Sequence, residues 1–248
     1  MLCTPDSARR LRALLDACPD FRGRIERLLD AVEYRIVDDA AEMAAVQEMR
    51  YQAYFREGAA GFREDQRLSD CYDGSSNAAT MALLFEDRIC ASIRLHVITE
   101  EWHDSPAVDA FPAQLKPLIR AGERLIDPNC FCVDPLLSGG VPELARLTLR
   151  LCHLAADMRE RTMVTATVRA EHQAFYARIL RCRQIAPPKS YAGRTKPLGL
   201  MLCDFDRERP NILARNPYFA ERTGEIERIG LSRIGVIDPV PGREPVAA

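Results

Sequence analysis

The stretch TMALLFEDRICASIRLHVI, residues 80–98, decides the fold. Thr80–Phe85 and Ile89–Ile98 are apolar, strand-length runs, and the polar Asp87 and Arg88 between them read as a hairpin tip. Upstream, Ser7–Ala31 reads as one or two short helices broken near Pro19, with Leu11, Leu14, Leu15, Ile25, Leu28 and Leu29 at helical spacing. Glu33–Val37 is a short strand and Ala40–Arg56 a helix with Met43, Val46, Met49 and Ala53 on one face. Gly58–Asn77 is a long polar loop holding Asp65, Asp70 and Asp73, and loops of that length in compact domains are commonly functional. Downstream, Glu101–Ala121 is irregular with helical pieces, and Glu123–Val133 is a strand with a polar start. A loop ending at Ser138-Gly139-Gly140 leads to a helix over Pro142–Arg159, where Pro142 suits the first turn. Met163–Val168 is a strand, Glu171–Leu180 a helix, and Gln184–Pro187 and Leu198–Phe205 close the pattern as strands.

This order predicts a mixed α/β (α+β) layer fold. Three parts are expected: a helical extension over residues 1–32, a main α/β domain over 33–205, and an Arg- and Pro-rich arm over 206–248.

At 47% hydrophobic and 28% charged over 248 residues, the composition is that of a globular chain, not a disordered one. No apolar run reaches the length of a transmembrane helix, and the charged N-terminus does not resemble a secretory signal. Nine cysteines without a C-x-x-C pair, mostly among apolar residues, point to core thiols in a reducing cytoplasm. The four histidines stand apart from cysteine pairs, so no metal site is expected.

A net charge of −2 excludes a generally basic nucleic-acid binder, but it conceals a division. Residues 141–196 carry +7, whereas 38–75 carry −5. Such runs are either solvated faces or docking surfaces, and sequence alone leaves both open.

Several short motifs, taken in order, resemble one family. Arg50-Tyr51-x-x-Tyr54-Phe55 is followed by Asp70-x-x-Asp73, then Ile93-Arg94-Leu95, then Glu123 at the head of a strand. His172-x-x-Phe175-Tyr176-x-Arg178-x-Leu180, Ile185-Ala186-Pro187 and Tyr191 complete the series. Over Glu33–Phe205 the chain resembles the GNAT-like acyltransferases, in the branch of acyl-homoserine-lactone (autoinducer) synthases and long-chain N-acyl amino acid synthases. Two departures favour the amino-acid group. Residues 57–61 lack the tryptophan typical of lactone synthases, and Arg124-Leu125-Ile126-Asp127 stands where those enzymes keep Ser-Arg-Phe after the glutamate.

The resemblance implies a transferase moving a long-chain acyl group from an acyl carrier protein or CoA thioester to an amine, with no bound cofactor. Glu123 would be the base for the α-ammonium group, although an ordinary strand carboxylate paired with Arg94 or Arg124 is the competing reading. Arg50, Tyr54, Asp70, Asp73 and Arg94 would bind the amine substrate; the aspartates read equally as turn caps. Tyr176 would protonate the leaving thiolate, or simply pack beside Phe175.

On the donor side, backbone N–H groups near Cys132 and Val133 would meet the carbonyl oxygen. Ser138, Gly139 and Gly140, at a helix N-terminus, would take the phosphopantetheine phosphate. Arg146 and Arg150, four apart, would share a helix face for the acidic carrier protein, extended by Arg178, Arg181, Arg183 and Lys189. An acetyl-CoA-dependent acetyltransferase, a lactone synthase using S-adenosylmethionine, and a non-catalytic lipid- or partner-binding module are the alternatives. The loop Leu137–Pro142 matches poorly the Gly-rich pyrophosphate loop that the first requires.

Overall fold

Glu86 and Asp87, with φ of 49° and 56°, turn the chain between strands β2 (Ala78–Phe85) and β3 (Arg88–Ile98) in the computed structural model. Positive φ at both turn residues is the type I′ signature, whose twist suits a two-residue hairpin. The tip is therefore Glu86-Asp87, one residue earlier than the sequence suggests, and Arg88 belongs to β3. The structure describes residues 1–191 and 195–234.

The hairpin sits in a seven-stranded sheet ordered β1-β2-β3-β4-β5-β7-β6. The other strands are β1 (Glu33–Ile36), β4 (Arg124–Val133), β5 (Thr162–Val168), β6 (Arg183–Lys189) and β7 (Leu198–Asp204). β1 runs antiparallel to β2, and β7 antiparallel to both β5 and β6. β4 and β5 are parallel, with Arg124–Ile126 opposite Thr162–Val164. Parallel neighbours need a crossover, and helix α6 (Pro142–Asp157) supplies it. Pro187 and Pro188 lie on β6 at the sheet edge, where a missing N–H disrupts no ladder.

Two compact units divide the described residues. The first holds 1–69, 80–93 and 130–151. Its helices α1 (Pro5–Asp16) and α2 (Phe21–Ala31) bury Leu11, Leu15, Ile25 and Leu28, the stripe expected from their spacing. Thr4 and Ser7 form a capping box at the start of α1, and Asp20 caps α2 by accepting from Gly23 N. Helix α3 (Ala40–Arg56) lays Val46 and Met49 against Ala82, Leu84 and Ile89.

The second unit holds 70–79, 94–129 and the described residues from 152 onward. The irregular region resolves into α4 (Pro106–Ala110) and α5 (Pro112–Arg120), each begun by a proline. They cover Ile98, Leu125, Leu200 and Ala186 with Val108, Phe111, Leu115 and Ile119. Helix α7 (Ala170–Ile179) follows β5.

One region differs from expectation. The segment after Phe205 begins with a helix, α8 (Phe205–Arg215), capped by Asp204, whose carboxylate accepts from Arg207 N. Pro210 inside that helix and its charged sequence hide it from a periodicity reading. Ile212 and Phe219 are buried, and the rings of Phe205 and Phe219 lie 5.0 and 5.3 Å from His153. Short α9 (Glu225–Ile229) follows, so residues 206–234 belong to the second unit. The remainder of the expected arm, 235–248, lies outside the described residues.

All nine cysteines are free, seven of them buried, as core thiols should be. Among the described residues, no helix is long and apolar enough to cross a membrane, and no cluster of three His, Cys, Asp or Glu side chains is placed to hold a metal.

Candidate active site

The long loop ends in a single 3-10 turn, Cys71–Gly74, and Asp70 caps it by accepting from Tyr72 N at 3.0 Å. The same Asp70 carboxylate takes a second task. Arg94 on β3 donates from Nη1 to Asp70 Oδ1 at 2.6 Å and from Nη2 to Asp70 Oδ2 at 2.9 Å, a bidentate pair. The same Nη1 donates to Asp73 Oδ1 at 2.7 Å. The two readings of the aspartates, turn cap or charge cluster, are thus both true of Asp70. Arg94 is only 1% exposed, so this ion cluster is largely shielded from solvent.

A further Arg94 donor leads inward. Nε donates to Asn129 Oδ1 on β4 at 2.7 Å. Asn129 Nδ2 lies 3.0 Å from His96 Nδ1 and donates to the Asp127 carbonyl at 3.0 Å and to Asp127 Oδ2 at 3.3 Å. Asp127 is fully buried; Ser105 Oγ donates to its Oδ2 at 2.8 Å and Thr165 Oγ1 to its Oδ1 at 3.0 Å. Burial pushes the Asp127 carboxyl above the usual carboxylate range, outweighing the donors around it, including Ser105, Thr165, the Ala107 amide and the charge of Arg94. Tyr72 completes the wall: its ring is edge-on to His96 at 5.8 Å, Arg94 lies 5.6 Å over it, and its hydroxyl donates to Asp109.

Glu123 stands outside this network. It precedes β4, and its partner is the exposed Arg161, 3.0 Å away. The carboxylate that joins the aspartate–arginine cluster is Asp127, four residues further along the chain. Asp127, Asn129 and His96 are the residues that motif reading passed over. Their signal was the strand period: Arg94 and His96 are two apart, as are Asp127 and Asn129, so each pair shares a face in strands that are otherwise mostly apolar.

Other expected site residues are placed as follows. Arg50, on α3 in the first unit, is 1% exposed and donates to Thr80 Oγ1 at 3.1 Å. Tyr54 packs against the cluster around Val46 and Met49. Tyr176 is buried on α7 with its ring edge-on to Phe175 at 5.5 Å. Cys132 is buried with Sγ 3.3 Å from Ser92 Oγ, and burial pushes its thiol up to about 11. Val133 ends β4. The local irregularity in β4 is Cys130, whose φ of 47° is unusual for a non-glycine residue in a strand.

Two donor-side expectations need correction. Arg150 is 0% exposed, with its guanidinium 5.8 Å over the Tyr34 ring, and Arg146 is half-buried, 4.8 Å over Phe21. The four-residue spacing gives them one helix face, but Arg150 on that face is wholly buried and is not available to an exposed docking patch. The loop Ser138-Gly139-Gly140 is a run of turns rather than an open cradle. Ser138 N donates to Asp134 O, and Gly140 N and Val141 N both donate to Leu137 O. Arg12 donates to Leu136 O, and a Cβ on Gly140 would meet its Nε at 3.1 Å. In the first turn of α6 the buried Glu143 carboxylate accepts from Arg24 Nε at 2.6 Å, so a carboxylate already occupies that end of the helix dipole.

No curated protein matches the chain in sequence. The fold is shared with FeeM, an N-acyl amino acid synthase from uncultured soil microbes, at 19% identity and a TM-score of 0.62, covering 77% of this chain and 98% of that one. TofI, solved with an inhibitor and MTA, matches at 16% identity and a TM-score of 0.53, over 76% of this chain and 99% of that one. The CoA-dependent acyl-homoserine lactone synthase BjaI, solved with SAM and isopentyl-CoA, matches at 13% identity and 0.51, over 81% and 99%. These likenesses establish the GNAT-like fold read from the motif order. The model of the N-acyl amino acid synthase FeeM family matches residues 45–204, more than half of the chain, and this protein belongs to that family of acyltransferases.

Proposed function

We propose that the protein moves a long-chain fatty acyl group from a carrier-protein or CoA thioester to the α-amino group of an amino acid. One observation carries the site assignment: the buried Asp127 carboxylate is tied through Asn129 and Arg94 to the paired aspartates Asp70 and Asp73.

In the reaction a C–N bond forms and the C–S bond breaks. The ammonium group must lose a proton before its nitrogen can attack, and the thiolate must be stabilised or protonated as it leaves. The paired carboxylates of Asp70 and Asp73, gathered on Arg94, are the acidic groups that attract the ammonium group. Asp127, raised above the ordinary carboxylate range, is the stronger base and takes the proton. Tyr176 is assigned the proton delivered to the thiolate, and Tyr176→Phe should slow transfer without unfolding the chain. Exposed Arg178 and Arg183 offer cations to an acidic carrier protein, whose docking would then weaken with salt.

Incubating the protein with long-chain acyl-carrier protein, long-chain acyl-CoA and the proteinogenic amino acids, with products read by mass spectrometry, tests this. N-acyl amino acids are expected. Homoserine lactones formed from S-adenosylmethionine, or no amide from any donor, would contradict it.

A further inference from the structure

The hydrogen-bond chain through Arg94 fixes a proton on His96. A guanidinium only donates, so the Asn129 atom facing Arg94 Nε must be the amide oxygen. The Asn129 NH₂ group therefore faces His96 Nδ1, and that nitrogen must accept. The neutral ring then carries its proton on Nε2. Neutrality is enforced by the surroundings: burial, then the charge of Arg94, depress the imidazole to about 3.

Nε2–H is a buried donor that meets no acceptor among the described residues, on a side chain that is 0% exposed. An unmet buried donor costs roughly 1–3 kcal/mol, so an apolar ring at this position would make a more stable protein. The donor lies in the same network as Asp127 and the aspartates, and these carboxylates select what it can meet. They attract the ammonium group and repel the carboxylate of an amino acid. The reactant left with a neutral acceptor atom is the thioester, through its carbonyl oxygen.

We propose that His96 is a catalytic residue of this site, its Nε2–H donating to the thioester carbonyl oxygen and to the charge that grows there during attack. This rests on the acyl-transfer reading above. Tyr72 stands edge-on against the imidazole, and it lies on the 3-10 turn between Asp70 and Asp73. Because His96 is fully buried, the thioester can reach Nε2 only if a neighbouring side chain gives way, and Tyr72 on this turn is one such neighbour.

The test compares wild type, His96→Phe and His96→Gln in steady-state acyl transfer, alongside thermal unfolding. His96→Phe should melt at or above the wild-type temperature yet lose roughly 10²-fold in kcat, with KM for the amino acid unchanged. His96→Gln, whose amide N–H reaches the Nε2 position, should recover most of that loss. Full kcat in a folded His96→Phe overturns the assignment. A loss confined to the amino acid KM also overturns it, since His96 would then hold the acceptor. A turnover-independent readout separates this from failure of the functional reading. A non-cleavable ketone analogue of long-chain acyl-pantetheine, with a methylene between sulfur and carbonyl, should move the His96 Nε2–H resonance in NMR of the wild type. An unmoved resonance at saturation overturns the proposal, even if amide synthesis itself is confirmed.

Discussion

Two regions carried the same expectation from sequence, a place to hold charge, and they meet it differently. Around β3, Asp70 and Asp73 of one turn and Arg94 of the strand lock together at 2.6–2.9 Å. Before α6, the exposed Ser-Gly-Gly loop turns Ser138 N, Gly140 N and Val141 N onto the carbonyls of Asp134 and Leu137, and Arg24 pairs with Glu143 in the helix's first turn. The difference teaches what kind of site a sequence discloses. Side-chain charges must find partners when buried, so their spacing along strands and loops is informative. Backbone N–H groups are anonymous in sequence, and whether a loop leaves them free is decided by its turn geometry.

Removing Arg94 should break the first region most severely. Arg94→Met removes the guanidinium that Asp70 and Asp73 share, and breaking a buried pair typically costs about 3–5 kcal/mol. Urea unfolding should show a loss near the lower figure, because both carboxylates keep some solvent exposure, and acyl transfer should vanish with it. Unchanged stability would mean that the cluster is incidental.

A smaller effect sharpens the account of its inner end through pH. The folded His96 titrates at about 3 against an ordinary 6.5, so the unfolded state binds more protons between those values. Stability from this residue is complete above pH 6.5 and is lost as pH falls toward 3, at up to about 1.4 kcal/mol per pH unit. Asp127 has the opposite sign. Its raised value means the folded state holds a proton more tightly, so stability declines as pH rises from the ordinary carboxylate value through the folded one. His96→Phe should flatten the acid limb of a stability–pH profile; an identical limb in the variant would place the imidazole in a wetter setting.

The smallest effect belongs to the second region. Gly140→Ala adds a methyl against the flexible, exposed end of Arg12 and should shift stability by less than about 0.5 kcal/mol, with little change in KM for the acyl donor. A large rise in that KM would restore the loop to the donor site.

Most of the fold was legible because apolar periodicity is a strong signal. The hairpin, the seven strands and the long helices follow directly from it, with boundaries moved by a residue or two. Helix α8 escaped because Pro210 and its charged residues mask the period, and because the buried face is reduced mainly to Phe205 and Ile212. Within the site, Asp70, Asp73 and Arg94 were readable as a motif. Asp127 was not, since it stood where the motif suggested a departure, and only burial between Ser105 and Thr165 reveals its environment. Arg150 misled for the converse reason: spacing assigns a helix face but not the direction it looks, and arginine is rarely wholly buried.

The central claim is that the buried carboxylate of this network, rather than the one at the strand's entrance, removes the amine proton. Asp127→Asn and Glu123→Gln, assayed side by side for kcat, test it most directly. A fall of roughly 10²-fold is expected for Asp127→Asn in a protein at least as stable as wild type at neutral pH, and under about threefold for Glu123→Gln. A folded Asp127→Asn variant with near-normal turnover, beside a Glu123→Gln variant that is inactive, would contradict it.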